Sequence, residues 1–207
     1  MMKIIPFIGQ LARRIKRVID SRILKRWGNT AKKKSIWDEE FSSGQWDYLE
    51  NTNDDPIYLY LEKYGNGGSI LDHGCGSGNT GNELDASKYG SYTGVDISES
   101  AVKRALTRSE NNGRVEKNEH VCADIYQYTP GRRYDIILFR ESIFYIPNSK
   151  ISVVLDRYRD YLKETGGVIV RMCDRKKYAS IVRLIERHYH VVDSSPAEDA
   201  NIILVFR

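Results

Sequence analysis

The stretch SILDHGCGSGNTG, Ser69 to Gly81, places four glycines (Gly74, Gly76, Gly78 and Gly81) directly behind a short apolar run. Ordering a glycine costs more conformational entropy than ordering any other residue. Doing so four times in one turn implies that something must approach the backbone closely. The residues before Gly74 read as a strand and those after Gly78 as a helix. The first N–H groups of a helix have no partner within it. In an open parallel sheet, ligands bind beyond the carboxyl ends of the strands. The stretch therefore predicts a nucleotide-type site.

Working outward, short apolar runs alternate with longer amphipathic ones. SILDH, YTGVD, HVCAD, YDIILF, GGVIVRM, YHVVD and NIILVF read as strands. Helices fit near 79–87, 99–110, 149–163 and 175–187. This alternation predicts an α/β fold, a single doubly wound, mostly parallel seven-stranded sheet over residues 35–207. No helix fits between the last two strands, so the last strand is expected antiparallel. Asn53-Asp54-Asp55-Pro56 reads as a turn leading into a helical IYLYLEKYG.

Residues 1–34 differ from the rest. They hold 11 Lys or Arg against one acid, a net charge of +10, while residues 35–207 carry −6. Leu11, Ile15, Val18, Ile19 and Ile23 recur at helical steps, and Gly28-Asn29 marks a stop. The segment reads as a basic amphipathic helix, followed by a polar linker, NTAKKKS. Its apolar face suits the domain itself, a second subunit in a homodimer, or an anionic membrane surface contacted through residues 1–27, with Ile4, Ile5, Phe7 and Ile8 dipping in. Nucleic acid is a weaker candidate. No apolar run reaches the ~20 residues of a membrane span. Cys75, Cys122 and Cys173 lie far apart with no C-x-x-C, and no metal site is expected. A reducing cytoplasm is the expected location, at most peripheral on the inner face of the membrane.

Which ligand does the glycine turn serve? Gly76, Gly78 and Gly81 match G-x-G-x-x-G, and Asp96 ends the next strand, as a ribose-binding acid would. Alone, this allows an NAD(P)-binding oxidoreductase. Three features point elsewhere. Asp72, just before Gly74, would repel a pyrophosphate. A third acid, Asp124, ends the next strand. No second domain is evident for a hydride acceptor. A P-loop is ruled out because no Lys-Ser/Thr follows.

ILDHGCGSG, YTGVDIS, CADIY and YDIILFRESIFYI stand in the order and spacing of class I S-adenosylmethionine-dependent methyltransferases, which residues 35–207 resemble. The segment EFSSGQWDYLE resembles a small-molecule and glycan-pathway branch of that superfamily, in which an Asn-Glu pair often stands where this chain has Arg140-Glu141. The resemblance implies S-adenosylmethionine as cofactor. Gly74, Gly76 and Gly78 would line its methionine part, and Asp72 would organise their loop. Asp96 would hold both ribose hydroxyls, and Ile97 would pack on the adenine. Asp124 would face the adenine amino group, with Ile125 donating from its backbone. Arg140 would sit beside the cofactor, paired with Glu141, a substrate anion or the cofactor carboxylate. Trp46 and Tyr48 are lid candidates. His73 stands where the family has an aliphatic residue and reads as a packed neutral histidine.

Methyl transfer to an alcohol also needs a base. Glu141, just past the fourth strand, is the candidate, with Tyr145 orienting the acceptor. The Asn/Asp-Pro-Pro-aromatic and Pro-Cys motifs of nucleic-acid base methyltransferases are absent from FRESIFYIPN, which leaves a nucleic-acid methyltransferase as an alternative only. The resemblance favours O-methylation of a small molecule such as a sugar, a glycan precursor or a natural product.

Overall fold

The computed structural model describes residues 19–207. The helical positions expected at Leu11, Ile15 and Val18, and the apolar residues Ile4, Ile5, Phe7 and Ile8, lie outside the described residues. The stretch 19–27 is helical (α1) and stops at Gly28, as expected. NTAKKKS is not a linker. It opens α2 (Thr30–Ser42), because Asn29 Oδ1 caps the Lys32 N–H at 2.9 Å. Alanine and lysine then favour the helix, and Lys34 pairs with Asp38 one turn on, at 2.9 Å. The boundary drawn at residue 34 thus falls inside a helix.

After α3 (Ile57–Gly65) come β1 (Ser69–His73), α4 (Asn79–Glu83), β2 (Ser91–Asp96), α5 (Glu99–Asn111), β3 (Asn118–Cys122), β4 (Tyr134–Arg140), α6 (Asn148–Arg159), β5 (Leu162–Met172), α7 (Ala179–His188), β6 (Val191–Ser194) and β7 (Ile202–Phe206). The seven strands form one sheet in the order β3-β2-β1-β4-β5-β7-β6. Neighbours are parallel except at β7, which is antiparallel to both β5 and β6. Three helices are shorter than the sequence pattern predicts. α4 gives way to a short turn because Asp85 Oδ1 captures the Ser87 N–H at 2.8 Å. α6 stops at Arg159, where the chain enters β5 at Leu162. α7 begins only at Ala179, after Asp174 Oδ1 has bound the Lys177 N–H.

Alternate strand residues face opposite sides of the sheet. Leu71, Ile137, Phe139, Val168 and Val170 pack beneath α6 and α7, while Ile70, Ile136, Leu138 and Ile169 pack beneath α3. Both faces are covered, and each fully buried Leu or Ile contributes roughly 1.5–3 kcal/mol. The strand order reverses at β1, which lies between β2 and β4. That reversal opens a crevice at the carboxyl ends of the strands.

Candidate active site

A cavity of about 650 Å³ occupies this crevice. Its floor is the loop after β1 and the ends of β2 and β4, and its roof is aromatic: Trp37, Phe41 and Trp46. The structure brings Asp72, Gly74, Gly76, Asp96, Ile97, Asp124, Ile125, Arg140, Glu141, Tyr145, Trp46 and Tyr48 to this one cavity. Gly78 is not among its lining residues. It sits at the start of α4, where a Cβ would stand 2.8 Å from that of Ala105 on α5, so its place is in helix packing.

At the β1–β2 end the backbone does most of the positioning. Gly74 has φ +77°, and a Cβ there would meet the Ser142 Cβ at 2.5 Å. Asp96 Oδ2 accepts the Gly76 N–H at 2.9 Å, and its Oδ1 accepts the Ser98 N–H at 2.8 Å. These bonds oppose the burial that raises its pKa. Asp72 is fully buried, and burial pushes its pKa up to about 6. Its Oδ2 accepts from the Tyr92 hydroxyl at 2.8 Å, whereas its Oδ1 has no partner. Asp124 accepts the Tyr126 N–H at 3.0 Å and the Thr30 hydroxyl at 2.6 Å. The start of α2 is thereby tied to the end of β3.

The other end is built from side-chain charges. Arg140 does not pair with Glu141. Its Nη2 bonds Asp55 at 2.8 Å, and its Nη1 bonds the Tyr58 hydroxyl at 3.1 Å. Glu141, at φ +53°, pairs with Arg171, which also reaches Asp55 at 3.2 Å. The result is a chain of four charges, Arg140–Asp55–Arg171–Glu141. Beside it, Trp37 and Tyr145 meet edge to face at 4.9 Å. The Lys25 ammonium lies 3.8 Å from the Trp37 ring centroid and 5.2 Å from that of Trp46, and it binds Glu40. Burial lowers the Lys25 pKa, and Glu40 opposes that shift. Trp46 donates from Nε1 to the same Glu40 at 3.0 Å. Tyr48 borders the cavity but is mostly exposed. His73 is buried among Tyr158 and Phe139, neutral and outside the cavity lining.

Sequence reasoning missed Lys25, Glu40, Asp55 and Arg171. Two signals stood in the sequence: a lysine on the inward face of a helix, and an aspartate just before a helix rich in tyrosine.

Residues 70–166 match the methyltransferase domain family. Over 144 residues the chain is 25% identical to a probable cobalt-precorrin-6B C(15)-methyltransferase (decarboxylating) of Thermoplasma volcanium, covering 68% of this chain and 69% of that protein. Its fold is similar to that of the N-methyltransferase NodS of Bradyrhizobium japonicum WM9, solved with S-adenosyl-l-homocysteine. The TM-score is 0.65 at 15% identity, over 84% of this chain and 97% of that one. It is similar also to magnesium protoporphyrin IX methyltransferase of Synechocystis PCC 6803 with bound SAM, with a TM-score of 0.59 at 17% identity, over 92% and 96% of the two chains. The chain has the Rossmann-like fold that these methyltransferases share, and its match to the methyltransferase domain family spans residues 70–166. The relatives differ in the atom they methylate, carbon in one and nitrogen in another.

Proposed function

We propose that the protein is an S-adenosylmethionine-dependent methyltransferase acting on a small molecule, with a hydroxyl of a sugar, glycan precursor or natural product as the acceptor. The observation that carries this reading is the convergence of Asp72, the Gly74–Gly76 backbone, Asp96 and Asp124 on one cavity. The donor set fits the cofactor. Asp72 has an unpartnered buried oxygen suited to a cationic amino group and unsuited to a pyrophosphate. Asp96 is fixed by two N–H bonds and has lone pairs left for ribose hydroxyls. Ile97 and Ile125 give an apolar slot for a base, beside Asp124. Arg140 serves the cofactor carboxylate.

Bound there, S-adenosylmethionine supplies an electrophilic methyl on its sulfonium. The chain's own part is alignment and exclusion of water, and alignment alone is worth roughly 7–11 kcal/mol of barrier. Trp37, Trp46 and Tyr145 exclude water at the acceptor end. Arg171 holds the Glu141 carboxylate in place, and Glu141 takes the acceptor's proton at its other oxygen.

Calorimetric titration of the full chain with S-adenosylmethionine, beside Asp96→Ala, tests the reading. Micromolar binding that the substitution abolishes is expected. Binding of NAD(H) in its place would overturn it.

A further inference from the structure

The outer face of α1 is apolar, and no element among the described residues buries it. Ile19, Ile23 and Trp27 recur every four residues, so they stand one above another on the helix. They are 51%, 53% and 64% exposed. The opposite face is fixed. Lys25 lies about 200° around the axis from Ile23, is buried, and binds Glu40 beneath the Trp37 ring. Ser21, one turn earlier, donates to the same carboxylate at 3.3 Å. These contacts set the rotation of α1 and turn the stripe away from the domain.

Cations border the stripe. Arg22 and Arg26 follow one flank, Arg26 held by Asn148 at 2.6 Å. The sequence of residues 1–18 adds five further Lys or Arg and no acid.

We propose that α1 docks the protein on an anionic membrane surface. The Ile19–Ile23–Trp27 stripe enters the headgroup region, and the flanking arginines face lipid phosphates. A tryptophan at the end of such a stripe suits the interface, where its ring is half apolar and its N–H stays wet. Basic segments are drawn to anionic leaflets. Nucleic acid would use the charge but leave the isoleucines without purpose. A second copy would set one +10 segment against another. The docking stands on α1 itself and not on the reaction in the cavity.

The test is co-sedimentation of the full chain with vesicles of phosphatidylcholine alone or mixed with phosphatidylglycerol, beside the double variant Ile23→Asp, Trp27→Asp. Binding to the anionic vesicles is expected, with little to the neutral ones. It should weaken as salt rises and fall about tenfold in the variant, whose burial of two large apolar side chains is lost. Cofactor titration and thermal melting of the variant should match the parent, which separates this outcome from misfolding. Absence of vesicle binding, or binding that the variant retains, overturns the proposal. So does a dimer that the variant dissolves, which assigns the face to a second copy. Tighter binding to RNA than to vesicles, insensitive to Trp27, overturns it as well.

Discussion

At the β1–β2 end of the cavity, the groups come from short contiguous runs: Asp72 with Gly74–Gly76, then Asp96 with Ile97. Backbone N–H groups hold Asp96, and the buried Tyr92 hydroxyl holds Asp72. At the β4–β5 end they come from separate elements, and side chains hold one another: Lys25 with Glu40, Arg140 with Asp55, Arg171 with both Asp55 and Glu141. A backbone-held end tolerates changes everywhere except at the residues that shape its own turn. An end held by a chain of charges fails when one link is removed, because the remaining charges stay buried and unpaired.

Gly74→Ala should produce the largest effect on cofactor binding. The new Cβ would have to adopt φ +77° and stand 2.5 Å from Ser142. The left-handed backbone costs roughly 1–2 kcal/mol, and the overlap a further roughly 1–3 kcal/mol. Calorimetry should find S-adenosylmethionine binding lost, and denaturant melts should show the destabilisation. Ser142 belongs to the β4 side, so intact binding in this variant would mean that the two ends are mechanically independent.

Asp55→Asn comes next. It leaves Arg140 and Arg171 with no shared carboxylate, at a cost of about 3–5 kcal/mol in urea unfolding. A loss under about 1 kcal/mol would show that the chain of charges does not hold this end.

Asp72 gives a smaller effect with a definite sign. Its folded pKa, about 6, lies above its ordinary 3.8. The protonated form is therefore the one the fold prefers. Its contribution to stability is complete below pH 4 and is lost as pH rises through 6. Two pH units correspond to about 3 kcal/mol at most. Asp72→Asn removes this dependence, so the parent should lose stability relative to the variant between pH 4 and 7. Parallel melting curves across that range would show that the buried oxygen has found a partner.

This contrast also explains what could be read from the sequence. The acids at 72, 96 and 124 each follow an apolar alternation, and the parallel strands carry them to one rim, so local pattern was enough. Lys25 and Glu40 are 15 residues apart, and Asp55 and Arg140 are 85 apart. No local pattern announces such pairs. Arg140 and Glu141 are neighbours in sequence yet bind different partners. Successive residues of a strand point to opposite faces, and the positive φ of Glu141 turns its side chain toward Arg171. NTAKKKS misled by composition: a polar run reads as a linker until the cap at Asn29 and the bond from Thr30 to Asp124 are seen.

At pH 7 the smallest expected effect concerns His73, next to Asp72 on β1. Burial drives the two neighbours in opposite directions, the acid up to about 6 and the imidazole down to about 3, so both favour the uncharged form. Both ring nitrogens of His73 are buried without a partner, and the ring lies 3.9 Å from that of Tyr158. Each orphaned group carries a desolvation cost of roughly 1–3 kcal/mol. Leucine fills a similar space with none, so His73→Leu should stabilise by about 1 kcal/mol at pH 7 once imperfect packing is set against that relief. The folded pKa lies below the ordinary 6.5, so the parent is destabilised as pH falls below that value, by up to about 1.4 kcal/mol per unit. The gap between variant and parent should therefore widen from pH 7 toward pH 4, read as diverging melting temperatures. Unchanged cofactor binding would keep His73 outside the site. Weakened binding would place it inside, and would mean that the backbone-held end depends on a side chain behind its own strand.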